Sequence, residues 1–248
     1  MASLENVRRK ISHAKLHLER IKAEAARYHQ ANVSEFVPEA NSPPNQTTFR
    51  VKPKIPIPDN IGLFVGDCLQ NLRTSLDYLV WELVLAAKNT PGKKNMFPIC
   101  LVLKSFQDAQ GAGRLQGVDP AAVALIESIQ PYHDGQPKAT SLAVLDELTN
   151  INKHRHLLLT EFGTLSMSEM MDTFDKWLKA GSPDLTALAH DTGFDRIVTA
   201  EQMKMQGDLI PFIAFNEGGV TGMDVGFFLE GLVGYVSAVV ENFGVYIR

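Results

Sequence analysis

Apolar residues recur three and four apart from the start of the chain. Leu4, Val7, Ile11, Ala14, Leu18, Ile21, Ala25 and Tyr28 form an unbroken a/d seam, while Arg8, Arg9, Lys10, Lys15, Glu19, Arg20, Lys22 and Glu24 occupy the other face. This period predicts one long helix over 1–31, with a stripe narrow enough to suit a single partner helix. Over 32–59 the pattern changes: Pro38, Pro43, Pro44, Pro53, Pro56 and Pro58 exclude helix. There Phe49, Val51, Ile55 and Ile57 alternate with polar or proline residues, which predicts an extended edge segment.

From residue 60 the helical period returns. Asp59 or Asn60 is placed to cap a helix reaching about Lys88, before Asn89-Thr90-Pro91-Gly92. The apolar run 96–102 reads as a short buried strand. Asp119-Pro120 is a cap followed by proline at the first helical position, and Pro131 closes that helix. Thr140 or Ser141 caps a further helix over 142–159. Met167, Met171, Phe174 and Leu178 predict a short helix, and 182–207 carries no legible pattern. Leu209 to Phe215 reads as a strand, Asn216-Glu-Gly-Gly as a turn, and Asp224 as the cap of a helix burying Phe228, Leu232, Val236, Val239 and Phe243. The expected fold is mainly α: a single domain, 1–248, forming a helical bundle with a small β element. Its parts are a long N-terminal helix (1–31), a Pro-rich connector (32–59) and a core (60–248) centred on the pairing of the helices near 60–88 and 141. The long seam and the very apolar last helix both seek partners, which leads us to expect a homodimer.

Two polar stripes interrupt these apolar helices. Asp67, Asn71, Thr74, Tyr78 and Glu82 follow one another at steps of four, three, four and four, a single line along one face. In the second helix Glu147, Asn150 and His154 align, with Asp146 and Lys153 alongside. Polar groups in helices this apolar need partners, and the two stripes can supply one another. Arg73 and Asp77, four apart, form an expected ion pair.

Two readings of this polar centre remain open. In one, Asp67, Asn71, Arg73 and Asp77 knit their helix to the Lys153-His154-Arg155 helix by hydrogen bonds, because buried polar networks specify helix pairing. In the other, His154 is a general base while Arg73, Arg155 and Lys153 hold a phosphate, which equips the site for metal-independent RNA cleavage. A metal centre of Asp67, Asp146, Glu147 and His154 is disfavoured, because two helical turns separate Glu147 from His154. His13 and His17 lie among Lys and Arg and read as an exposed pair, so no metal or other cofactor is expected.

Composition narrows the classes. The chain has 248 residues, 45% hydrophobic and 21% charged, with a net charge of −4, which argues against a dedicated duplex-DNA binder. Cys68 and Cys100 sit among apolar neighbours without metal-like spacing and read as buried free thiols. No apolar signal core opens the chain and no apolar run is expected to approach membrane-spanning length, so a soluble, cytoplasmic protein is expected. There is no phosphate loop, dinucleotide glycine fingerprint or nucleophile elbow, and the aromatics are not interleaved with Lys and Arg as a base-stacking platform would need.

The run Gly66-Asp-Cys-Leu-Gln-Asn-Leu-Arg-Thr-Ser-Leu-Asp-Tyr-Leu resembles a widespread, uncharacterised bacterial protein family whose pattern is approximately Gly-Asp-x-x-His-Asn-Leu-Arg-Ser-Ala-Leu-Asp-His-Leu. Phe97-Pro98-Ile99, Ile129-Gln130-Pro131-Tyr132 and Asn150-Ile-Asn-Lys-His-Arg extend the resemblance over about residues 60 to 160. The family's Arg-x-x-x-x-His is similar to the signature of HEPN domains, helical bundles often found as dimeric ribonucleases or toxins. That resemblance implies RNA as partner, with Arg73 in the motif. Tyr78 and Gln70 stand where the family has histidine, which leaves His154 to supply a base. The function classes carried forward are a HEPN-like RNA-binding protein or ribonuclease of a bacterial defence or toxin system, and a non-catalytic interaction module.

Overall fold

The computed structural model describes residues 2–31, 34–38, 48–155, 159–166, 198–199 and 209–247. The architecture is mainly α with a minor β component. The helices are α1 (Glu5–Gln30), α2 (Asp59–Ala86), α3 (Leu103–Gly111), α4 (Pro120–Ser128), α5 (Ser141–His154) and α6 (Val225–Asn242). The strands are β1 (Ser34–Pro38), β2 (Thr48–Pro53), β3 (Leu159–Ser166), β4 (Val198–Thr199) and β5 (Leu209–Phe215). β1, β2 and β4 form one antiparallel sheet in that order, and β3 pairs antiparallel with β5 in another, from Leu159 opposite Phe215 to Ser166 opposite Leu209.

α2 is the axis of the core. Ile61, Val65, Cys68, Leu69, Leu72, Leu76, Leu79 and Leu83 are all fully or almost fully buried, because the helix is covered by α1, α5 and α6. Its most extensive partner is α1 rather than α5, a correction to the expected centre. The α1 seam is filled by Val7, Ile11, Ala14, Leu18, Ile21 and Tyr28 against α2 and α6. The stripe that suggested a second copy is therefore occupied within the chain. Contrary to the sequence expectation, Val225–Tyr246 is long and apolar enough to cross a membrane by length and composition; here Leu229, Val233, Val236 and Val240 of this segment pack into the shared core.

Several helix ends follow side-chain chemistry. Asp119 accepts a hydrogen bond from the Ala121 amide, Thr140 from Ala143 and Asp224 from Phe227, which satisfies otherwise orphaned donors. α2 differs from expectation: Pro58 is its N-cap residue and Asp59 lies inside the first turn, where its charge complements the helix dipole. Lys88 ends the following turn with φ 59°.

Two further expectations change. Segment 96–102 is extended but pairs with no strand; side chains hold it instead, as described below. α5 stops at His154 because Arg155 turns extended, and Leu159 begins β3 opposite Phe215, so Leu159 serves the sheet rather than the helix. α3 had no sequence expectation. The helix expected around Met167–Leu178 lies outside the described residues, as do 182–197 and 200–207. Both cysteines are free and buried, as expected.

Candidate functional site

Arg73 sits on the face of α2 turned towards α5 and the extended segment. Its side chain is only 10% exposed. Nη1 donates to Asp77 Oδ1 at 2.8 Å and Nη2 to the Phe97 carbonyl at 2.9 Å. Asp77 Oδ1 also accepts the Phe97 amide at 2.9 Å, so the ion pair grips both polar groups of one residue. From α5, Asp146 Oδ1 lies 3.6 Å from Arg73 Nε, and Asn150 donates to Asp146 Oδ2 at 3.1 Å. Three elements meet on one guanidinium.

The same segment is held a second time a few residues later. Gln130, 2% exposed, accepts the Cys100 amide at 3.0 Å and donates to the Pro98 and Ile126 carbonyls, each at 3.0 Å. An extended segment that lacks a ladder leaves its backbone polar groups needing partners, and these two side chains supply them. Beside this arrangement lies a shallow cleft of about 250 Å³, lined by Ile99, Leu101, Lys138, Ala143, Asp146 and Glu147.

α2 and α5 also meet where Gly66 faces Asn152. A Cβ on Gly66 would lie 2.5 Å from Asn152 Oδ1, so the glycine makes room for the asparagine. Gly66 opposite Asn152, and Arg73 opposite Asp146, set the two helices antiparallel. The two motif segments singled out in the sequence thus meet at two points.

The remaining sequence candidates are dispersed. Lys153, His154 and Arg155 are exposed at the C-terminal end of α5. Arg155 pairs with Glu217 at 2.5 Å, and Glu147 accepts the Gly219 amide at 3.3 Å, both towards the turn after β5. His154 lies eight residues beyond Asp146, about 12 Å of helix rise, so it does not share the Arg73 cluster. Among the described residues no group of three or more His, Cys, Asp or Glu could hold a metal ion.

The first polar stripe faces α1 rather than α5, which corrects its expected partner. His17 Nδ1 lies 3.8 Å from Asp67 Oδ2, Lys10 sits 5.7 Å from the centre of the Tyr78 ring, and Glu82 accepts the Ser3 amide at 2.9 Å. Asn71 donates to the Asp67 carbonyl one turn back. Asp67 and Tyr78 are exposed, because the stripe forms the rim of the α1–α2 contact rather than a buried centre. His17 is 15% exposed, not an open surface residue, and burial lowers its pKa below the ordinary value, with Asp67 opposing. Burial drives the Cys68 thiol up to about 12, which leaves it without nucleophilic character at neutral pH.

Compared with protein-family models, with curated proteins and with solved structures, the chain matches none of them. Sequence reasoning singled out Arg73, Asp77, Asp146 and Asn150 but missed Phe97 and Gln130 as members of the network. Gly66 carried a usable signal, since a lone glycine in an apolar helix marks close packing. Nothing local marks a backbone segment as the ligand of a side chain.

Proposed function

We propose that this protein is a non-catalytic interaction module whose polar centre serves the fold. The observation that carries this reading is the use made of Arg73. Asp77 and the Phe97 carbonyl occupy its guanidinium, Asp146 lies beside it, and the side chain is nearly buried. A guanidinium that is to stabilise a developing oxyanion needs donors aimed at open space where the substrate sits. The donors of Arg73 point into the protein, and His154, the base read from the sequence, lies about 12 Å of helix rise beyond Asp146 on α5.

A second reading, metal-independent RNA cleavage, is favoured by the exposure of Lys153, His154 and Arg155 at one helix end. There His154 is the base and Lys153 holds phosphate, with Arg155 paired to Glu217. Incubation of single-stranded RNA with the purified protein in excess EDTA separates the two. The non-catalytic reading predicts intact RNA. Cleavage by wild type that disappears in a folded His154→Ala variant would overturn it.

A further inference from the structure

The two flanks of α1 are finished differently. Towards α6, its cations are neutralised: Arg8 pairs with Glu241 at 2.7 Å and Lys22 with Glu230 at 3.0 Å. Towards α2, Lys10, His13, His17 and Arg20 follow one another at steps of three, four and three, one line along the helix. There Lys10 lies over the Tyr78 ring and Arg20 over the Phe64 ring, each 5.7 Å from the ring centre. Aromatic faces attract a cation without cancelling its charge. Asp67, 3.8 Å from His17, is a carboxylate within this line and offsets part of it.

We infer that this α1–α2 rim is a docking track for single-stranded nucleic acid. Charge complementarity points to the class of partner: the chain as a whole carries −4, yet this line sets two permanent cations, Lys10 and Arg20, about 15 Å apart along the helix, against the single carboxylate of Asp67. The rings decide it further. Tyr78, which lies under Lys10, and Trp81, three residues further along α2 and its neighbour on the helix surface, are 41% and 44% exposed and offer ring faces at that end of the line. Cations interleaved with aromatic rings are the equipment of single-strand binding, and the interleaving arises here between two helices. The track supplies a partner for the proposed module and makes no use of Arg73 or His154.

The test is fluorescence anisotropy of a short fluorescein-labelled oligouridylate, with the full chain at low salt. Wild type is expected to bind, with log affinity falling against log salt at a slope of about −1.4, as two permanent cations on a single strand require. Lys10→Glu/Arg20→Glu is expected to weaken binding by at least about tenfold. Lys93→Glu/Lys94→Glu makes the same charge change at two exposed lysines elsewhere and is expected to leave affinity within about twofold. Tyr78→Ala/Trp81→Ala is expected to weaken binding with the salt slope unchanged. If the charge reversal does not fold by circular dichroism, Lys10→Gln/Arg20→Gln replaces it. Absence of binding by wild type, equal losses in the two reversal pairs, or full displacement of the oligonucleotide by phosphatidylserine vesicles would each overturn the inference. Oligonucleotide recovered cut after binding through this rim would instead sink the non-catalytic reading and leave the track standing.

Discussion

Asp77 holds Arg73 and the segment beside it with one oxygen: Oδ1 accepts Arg73 Nη1 at 2.8 Å and the Phe97 amide at 2.9 Å. Removing that carboxylate strips a partner from a nearly buried cation and from a backbone amide together. Asp77→Ala is expected to cost about 2 kcal/mol in urea unfolding, and Asp77→Asn less, because its carbonyl still accepts the Phe97 amide. Equal stability of wild type and Asp77→Ala would show that the oxygen is dispensable.

Gln130 is the second clamp on the same segment. Its amide satisfies the Cys100 amide and two carbonyls in a site that is 2% exposed. Gln130→Ala leaves those groups buried without partners and is expected to lose about 2–3 kcal/mol. Gln130→Glu, nearly the same size, turns an acceptor towards the Pro98 and Ile126 carbonyls and is expected to lower Tm as well. A stable Gln130→Glu protein would mean that shape, not amide chemistry, holds the segment.

Gly66 and Asn152 form a size-complementary pair. Gly66→Ala favours the helix by up to about 1 kcal/mol but puts a methyl group where the Asn152 amide sits. Removal of that amide should release the gain. Gly66→Ala/Asn152→Ala is therefore expected to be more stable than the sum of the two single changes, with positive coupling in a double-mutant cycle. Strict additivity would place the two residues out of contact.

Acid should loosen α1. Burial lowers the pKa of both His17 and His29 below the ordinary 6.5, so the unfolded chain binds their protons more tightly than the folded one. Their contribution is complete above about pH 6.5 and is lost as pH falls from there towards the folded values. Thermal stability is expected to fall between pH 7 and 5, and the drop should shrink in His17→Gln/His29→Gln. An identical pH profile in that variant would assign the acid sensitivity to other groups.

The helices were legible where periodicity acts locally. The α1 seam, the Asp119, Thr140 and Asp224 caps, and the apolar face of α6 all stand in the sequence because each is settled by residues within a few turns. What failed was the choice of partner. The Asp67–Asn71–Tyr78 line is one face, as its spacing requires, but whether that face meets α1 or α5 depends on packing that no spacing records. The 96–102 run shows the same limit: apolar and extended, it resembles a strand until Arg73, Asp77 and Gln130 are seen to replace the ladder. The cations over Tyr78 and Phe64 were invisible because they belong to a different helix.

The most direct measurement is urea unfolding of Arg73→Met, which keeps an apolar stem and removes the guanidinium. If the cluster is architectural, the midpoint falls at unchanged m, by about 3 kcal/mol, as loss of one partner from a largely buried ion pair entails. A variant as stable as wild type would contradict the account, because the guanidinium would then be held in place for something other than the fold.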